Sequence, residues 1–131
     1  MAIKFVPVEI VLTMHADLIG RYGGLAGVRD FNLLESALAQ PQVTLGGKYA
    51  HKTLRDKAAA YGFHVCKNHP FIDGNKRIAF TLMDIFLQMN RWEITAPEKD
   101  AYMMMMQLAD GSLSKAGLSK WLKDHSTRIF R

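Results

Sequence analysis

Between His69 and Arg77 the chain reads HPFIDGNKR: an imidazole, a carboxylate four residues on, then a glycine, an amide and two adjacent cations. Histidine is the side chain best suited to act as a general base near neutral pH, so His69 is the candidate to take the proton of an attacking hydroxyl. Asp73 offers a hard oxygen ligand. Magnesium bound to a nucleotide typically takes one or two protein carboxylates, with phosphate oxygens and water completing its shell. Gly74 lets the backbone approach a bound group, Asn75 can donate from its amide, and Lys76 and Arg77 suit phosphate oxygens. Phe71 has no chemistry to offer, but buried it would pin the loop and hold base and carboxylate in register, while Pro70 stiffens the approach. Together these parts point to transfer of a phosphate-containing group to a hydroxyl, a reaction that depends on positioning and charge stabilisation.

Such a loop needs rigid elements on both sides. Residues 8–20 repeat apolar side chains with a helical period after Pro7, and three glycines in RYGGLAGVRD (21–30) end that helix in a shaped loop. Asp30 is placed to cap a second helix, FNLLESALAQ, which stops at Pro41. Thr53 caps a third that runs to Asn68, with Leu54, Ala58, Tyr61 and Val65 on one side. From Gly74 to Asn90 the sequence is apolar almost all round, apart from a stripe at Arg77, Thr81, Asp84 and Gln88, so the fourth helix is expected at the centre. The motif then lies at the N-terminus of the most buried helix, where free N–H groups and the macrodipole already favour an anion. A fifth helix starts at Pro97 and ends near Gly111, and Ser112 or Ser114 caps a last one. WEIT (92–95) has room for a short extended piece, and no alternating strand pattern of useful length is visible. The expected fold is all-α: one domain over residues 1–131, a bundle of about six helices with a short glycine-rich flap loop.

The composition fits that reading. Of 131 residues 49% are hydrophobic and 22% charged, as in an ordinary globular domain, and a formal charge of +5 favours an anionic partner. The single cysteine, Cys66, excludes an intrachain disulfide and suits a reducing, cytoplasmic setting; no signal peptide and no membrane span are read. His64, Cys66 and His69 do not make a soft metal site, because His64 and Cys66 point to opposite sides of a helix. His15, His51 and His125 lack polar company in the sequence. The four consecutive methionines at 103–106 sweep most of a helical turn and are read chiefly as core filling. A basic nucleic-acid-binding module is the alternative from a different class. The Lys and Arg residues are scattered, however, and the C-terminal LSKAGLSKWLKDHSTRIFR has no interleaved aromatic platform, so no nucleic acid partner is expected.

HPFIDGNKR resembles the signature of Fic proteins, and specifically of the death-on-curing (Doc) toxins; RYGGLAGVRDFNLLESALAQP is similar to the Doc-type flap and second helix, and AAAYGFHVCKNHPFIDGNKRIAFTLMDIFL to its two central helices. The resemblance implies a Fic-like helical fold with His69 as base, Asp73 on Mg2+, and Gly74, Asn75, Lys76 and Arg77 on the phosphates of ATP. Most Fic enzymes transfer AMP, with a glycine where this chain has Lys76 and a second arginine where it has Phe80. Doc-like proteins share the lysine and resemble kinases that present the γ-phosphate. The resemblance therefore implies an ATP-dependent phosphotransferase acting on a Ser/Thr hydroxyl, with AMP transfer as the runner-up, elongation factor Tu as the target protein, and a bacterial toxin–antitoxin pair as the setting. Self-inhibited Fic proteins carry Ser/Thr four residues before a Glu. Here Phe5, Phe31, Met89 and Ile94 precede Glu9, Glu35, Glu93 and Glu98, so control is expected from a separate antitoxin chain.

Overall fold

In the computed structural model, which describes residues 2–130, six helices carry the chain: α1 (Val8–Tyr22), α2 (Phe31–Ala39), α3 (Leu54–Asn68), α4 (Asn75–Met89), α5 (Glu98–Ala109) and α6 (Lys115–Asp124). Their starts follow from local chemistry. Asp30 accepts the Leu33 N–H at 3.0 Å and Ser114, rather than Ser112, accepts the Gly117 N–H at 3.0 Å. Thr53 and Asp56 exchange side-chain and backbone bonds in a capping box at 3.0 and 3.1 Å.

Asp56 does more than cap. Its other oxygen accepts from the Ser119 hydroxyl and from Lys123 at 3.1 Å, docking α6 on the start of α3. Burial would raise this carboxyl, but the bonds from Ser119, Thr53 and Lys123 outweigh it and hold the group well below the usual range.

WEIT forms the short extended piece expected there, and three further short strands accompany it among the described residues. Thr44–Leu45 (β1) pairs antiparallel with Lys48–Tyr49 (β2), and Trp92–Ile94 (β3) pairs with Ser126–Arg128 (β4), with Trp92 opposite Arg128. Strands of two or three residues are too short to show alternation, and β4 finds its partner only after α5 and α6 have brought the chain back. The basic C-terminal stretch is accordingly part helix and part strand; its last residue, Arg131, lies outside the described residues, as does Met1.

α3 and α4 form the centre. Six residues, 69–74, join them, short enough to fold α4 back along α3. Ala58, Ala59, Ala60 and Tyr61 of α3 and Ile78, Leu82, Met83, Phe86 and Leu87 of α4 are all fully buried, and each large side chain contributes about 1.5–3 kcal/mol by leaving water. Leu34 and Leu38 of α2 and Leu118 and Leu122 of α6 close the core on either side. The methionine run divides as its helical sweep requires: Met104 and Met105 are buried, Met103 and Met106 exposed. Among the described residues no helix is long and apolar enough to cross a membrane.

The close approach of α3 and α4 is set by Gly62, where an added Cβ would overlap the side chain of fully buried Met83. Alanine is favoured over glycine in a helix by about 1 kcal/mol, whereas overpacking a closed core costs about 1–3 kcal/mol. Gly62→Ala is therefore expected to destabilise the protein, lowering Tm by roughly 3–8 °C, as measured by circular dichroism; an unchanged or higher Tm would show that Met83 has room to move.

Candidate active site

The loop between α3 and α4 takes its shape from two left-handed residues. His69 caps α3 at φ 50°, ψ 54°, and Gly74 precedes α4 at φ 75°. Histidine is among the few non-glycine residues that enter this region with any frequency, and here it turns the chain sharply away from the helix. Pro70 and Phe71 are buried next to it, and Ile72 and Asp73 return to the surface.

Phe71 is the anchor foreseen for the loop, and it is held from two sides. Its ring stacks on the imidazole of His15 from α1, with centroids 3.8 Å apart and planes 12° off parallel. Its backbone N–H donates to Asn75 Oδ1 at 3.0 Å, and its carbonyl accepts from Asn75 Nδ2 at 2.9 Å. Asn75 is 5% exposed. The Asn75 side chain, assigned from sequence to phosphate, thus faces inward and satisfies the main chain of Phe71, leaving its backbone N–H as the group near the cleft.

His15, which has no polar company in the sequence, gains its partners only in the fold. It is buried, and its Nε2–H donates to the Asp73 carbonyl at 2.8 Å, so α1 fixes the backbone of the acidic residue from beneath. No local signal marks this role: the partner lies 58 positions along the chain.

The Asp73 carboxylate is fully exposed, and both oxygens are engaged by main-chain N–H groups. Oδ1 accepts from Gly74 at 2.8 Å and Oδ2 from Leu25 of the glycine-rich loop at 3.1 Å. These two bonds, with lesser help from the charges of His15 and Arg77, hold the carboxyl below the ordinary aspartate range. It is ionised throughout the neutral range, and each oxygen keeps a lone pair free.

His69, Asp73, Gly74, Asn75, Lys76 and Arg77 line one cleft of about 470 Å³. No side chain caps α4, so the N–H groups of its first turn face this cleft unclaimed. Lys76 Nζ stands 3.9 Å from Met106 Sδ on α5, and the Arg77 guanidinium lies over the ring of Tyr22, 4.3 Å from its centroid. Phe80, Tyr102, Met105 and Met106 make the opposite wall apolar. Tyr102 and the methionines escaped the sequence reading because α5 lies far along the chain and shows only ordinary amphipathic spacing.

The glycine-rich loop packs against the main chain of the motif. Gly27 accepts the Ile72 N–H at 3.1 Å, Val28 bridges to Phe71, and the N–H groups of Arg29 and Asp30 reach the Pro70 carbonyl at 2.7 and 3.0 Å. The loop lies on the motif as a short strand would. The remaining histidines and the cysteine stay apart from this chemistry. His64 accepts from Lys115 at 3.2 Å and is pushed down to about 4 by burial and by the nearby Lys115, His51 and Lys67 charges; the Cys66 thiol is pushed up to about 11 by burial. A neutral, half-buried thiol is a poor nucleophile. Among the described residues no group of three or more His, Cys, Asp or Glu side chains gathers to hold a metal unaided.

The model of the family described as Fic/DOC matches residues 5–87, more than half of the chain. The chain is 43% identical over 75 residues to Toxin Doc of Mycolicibacterium smegmatis, covering 57% of this chain and 58% of the relative. It is 32% identical over 83 residues to Protein kinase doc of Escherichia phage P1, covering 63% and 64%. The matched stretch spans about three fifths of the length of these curated relatives.

Two substitutions separate positioning from contact. Asn75→Ala strands a buried N–H and carbonyl of Phe71, at about 1–3 kcal/mol each, and is expected to lower the denaturation midpoint well below that of Lys76→Ala, which touches only the cleft wall; equal midpoints would return Asn75 to the ligand. Gly24 sits at φ 114°, and a Cβ there would come within 2.7 Å of Asp73 Oδ2. Gly24→Ala is expected to push the loop off, remove the Leu25 N–H and raise the Asp73 carboxyl toward the ordinary aspartate range, a shift measurable by carbon-13 NMR titration.

Proposed function

Since the chain belongs to the Fic/DOC family, we propose that it is a phosphotransferase that moves the γ-phosphate of ATP to a Ser/Thr hydroxyl of a target protein. The observation that carries this reading is the convergence on one cleft of an exposed imidazole, an ionised carboxylate, an uncapped helix N-terminus and two cations. His69 takes the proton of the acceptor hydroxyl as its oxygen bonds to the γ-phosphorus, and the bond to the β–γ bridging oxygen breaks to release ADP. General-base assistance of this kind contributes about 10²–10⁴-fold. The N–H groups of the first turn of α4, with Lys76 and Arg77, stabilise the charge that spreads over the phosphoryl oxygens.

Asp73 fits magnesium. One exposed carboxylate with a free lone pair on each oxygen is what the ion takes from a protein when phosphates and water supply the rest. When bound, the ion would neutralise phosphate charge, while the chain contributes the ligand and its orientation by Gly74, Leu25 and His15.

Phosphoryl transfer is favoured over AMP transfer by two side chains. Lys76 extends toward Met106 where AMP-transferring relatives have glycine, and Phe80 presents an apolar ring to the cleft where they have a second arginine. The cleft thereby lacks a cation for distal phosphates in the AMP-transfer pose. The phage P1 relative is named a protein kinase, and the mycobacterial one a toxin, which supports a toxin role for this chain. In the same proposal the target is elongation factor Tu in the cytoplasm, and a separate antitoxin chain covers the cleft.

Intact-mass spectrometry after incubating elongation factor Tu, and in parallel a cell lysate, with the protein, ATP and magnesium tests this reading. The expected result is a gain of ~80 Da, abolished in His69→Ala with nucleotide binding retained and absent in Asp73→Ala. A gain of ~329 Da would mean AMP transfer, and near-normal turnover in either variant would remove that residue from the mechanism.

A further inference from the structure

His69 sits at φ 50° without being glycine or asparagine, a conformation that costs of order 1–3 kcal/mol and persists only where neighbouring contacts enforce it. One side chain bonds to the carbonyls on this turn from outside. Arg29, at the foot of the glycine-rich loop, donates Nε–H to the His69 carbonyl at 2.8 Å and Nη2–H to the Asn68 carbonyl at 2.9 Å. Its own backbone N–H donates to the Pro70 carbonyl at 2.7 Å. Three consecutive carbonyls at the end of α3 are therefore gripped by a single residue. The match is chemical as well as geometric: these carbonyls carry the negative end of the helix dipole, and a planar cation with divergent N–H groups is the side chain suited to two of them at once. Among the described residues Arg29 forms no ion pair with a carboxylate, so its charge is committed to this turn.

We propose that Arg29 is the positioning residue for the general base: it holds the His69 backbone in the left-handed region and so fixes the direction in which the imidazole enters the cleft, and it ties that placement to the glycine-rich loop. The proposal rests on the reading of His69 as base. Asn68 supports it from the other side, donating Nδ2–H to the Leu33 carbonyl at 3.0 Å and tying the same turn to α2. Nothing in the sequence marks Arg29; it is one basic residue after a run of glycines, 40 positions before the residue it orients.

The test compares the full-length protein with Arg29→Ala and Arg29→Lys. The first readout is structural and needs no substrate: the NMR scalar couplings of His69 that report φ, and its imidazole carbon and proton resonances. The second is transfer to the acceptor with ATP and magnesium, resolved into kcat and KM. In Arg29→Ala the couplings are expected to leave the positive-φ range, kcat to fall roughly 10–100-fold, as a misplaced catalytic group would cause, and KM for ATP to stay within about twofold, since Arg29 touches no phosphate-binding group. Added guanidinium ion is expected to restore part of kcat in Arg29→Ala and none in Arg29→Lys, whose single ammonium occupies the place without spanning both carbonyls. Unchanged couplings in Arg29→Ala would overturn the proposal, as would altered couplings with unchanged kcat. If the wild-type protein transfers nothing, the kinase reading fails by itself, and the His69 couplings and resonances still decide whether Arg29 sets the conformation of that residue.

Discussion

Everything in the cleft depends on how Phe71 is held. A six-residue connection between two antiparallel helices has little to rigidify it, and burying one aromatic ring supplies an anchor worth several kcal/mol only if the peptide groups buried with it are satisfied. The imidazole of His15 covers one face of the ring, and the Asn75 carboxamide closes on both polar groups of its backbone. The result is a loop whose middle belongs to the core and whose ends, His69 and Asp73, belong to the solvent. His69 and Asp73 stand two residues either side of the anchor and share its rigidity.

This division of labour explains why residues of such different character adjoin each other. Asn75 and Gly74 shape the turn; Lys76 and Arg77, one step further, have the same backbone origin but reach open space. The N–H groups of α4 stay available because no side chain has been spent on capping them. At the start of α3, where no ligand is expected, a full capping box is present and α6 is docked on it. The two central helices begin in opposite ways, one closed by side chains and one left uncapped, and the stability lost at the uncapped end is offset by the buried faces they share.

The sequence made the bundle legible because its signals are local. Asp30 and Thr53 mark helix starts by chemistry that acts over three residues, and α4 shows its burial in an almost continuous apolar run. The motif was legible for the same reason: its reactive groups are contiguous. What stayed hidden involves distance or direction. His15 meets Asp73 and Arg29 meets His69 only after the chain has folded. Tyr102 and Met106 join the cleft from α5, and β4 reaches β3 after two intervening helices. The inward turn of Asn75 was hidden although the residue lies inside the motif, because residue type does not say on which side of a left-handed turn a side chain emerges.

The β1–β2 hairpin stands apart from these dependencies. Its tip, Gly46 and Gly47, has left-handed backbone with nothing within 4 Å of either added Cβ, and Leu45 beside it is 71% exposed. The hairpin is tied down at its far end, where the buried Lys57 ammonium donates to the carbonyls of His51 and Lys52 at 2.6 and 3.1 Å. The chain can therefore be opened at 46–47 without disturbing α3. That tip offers an attachment point for a fluorophore or an inserted reporter domain, from which events in the cleft can be watched by a probe that takes no part in them.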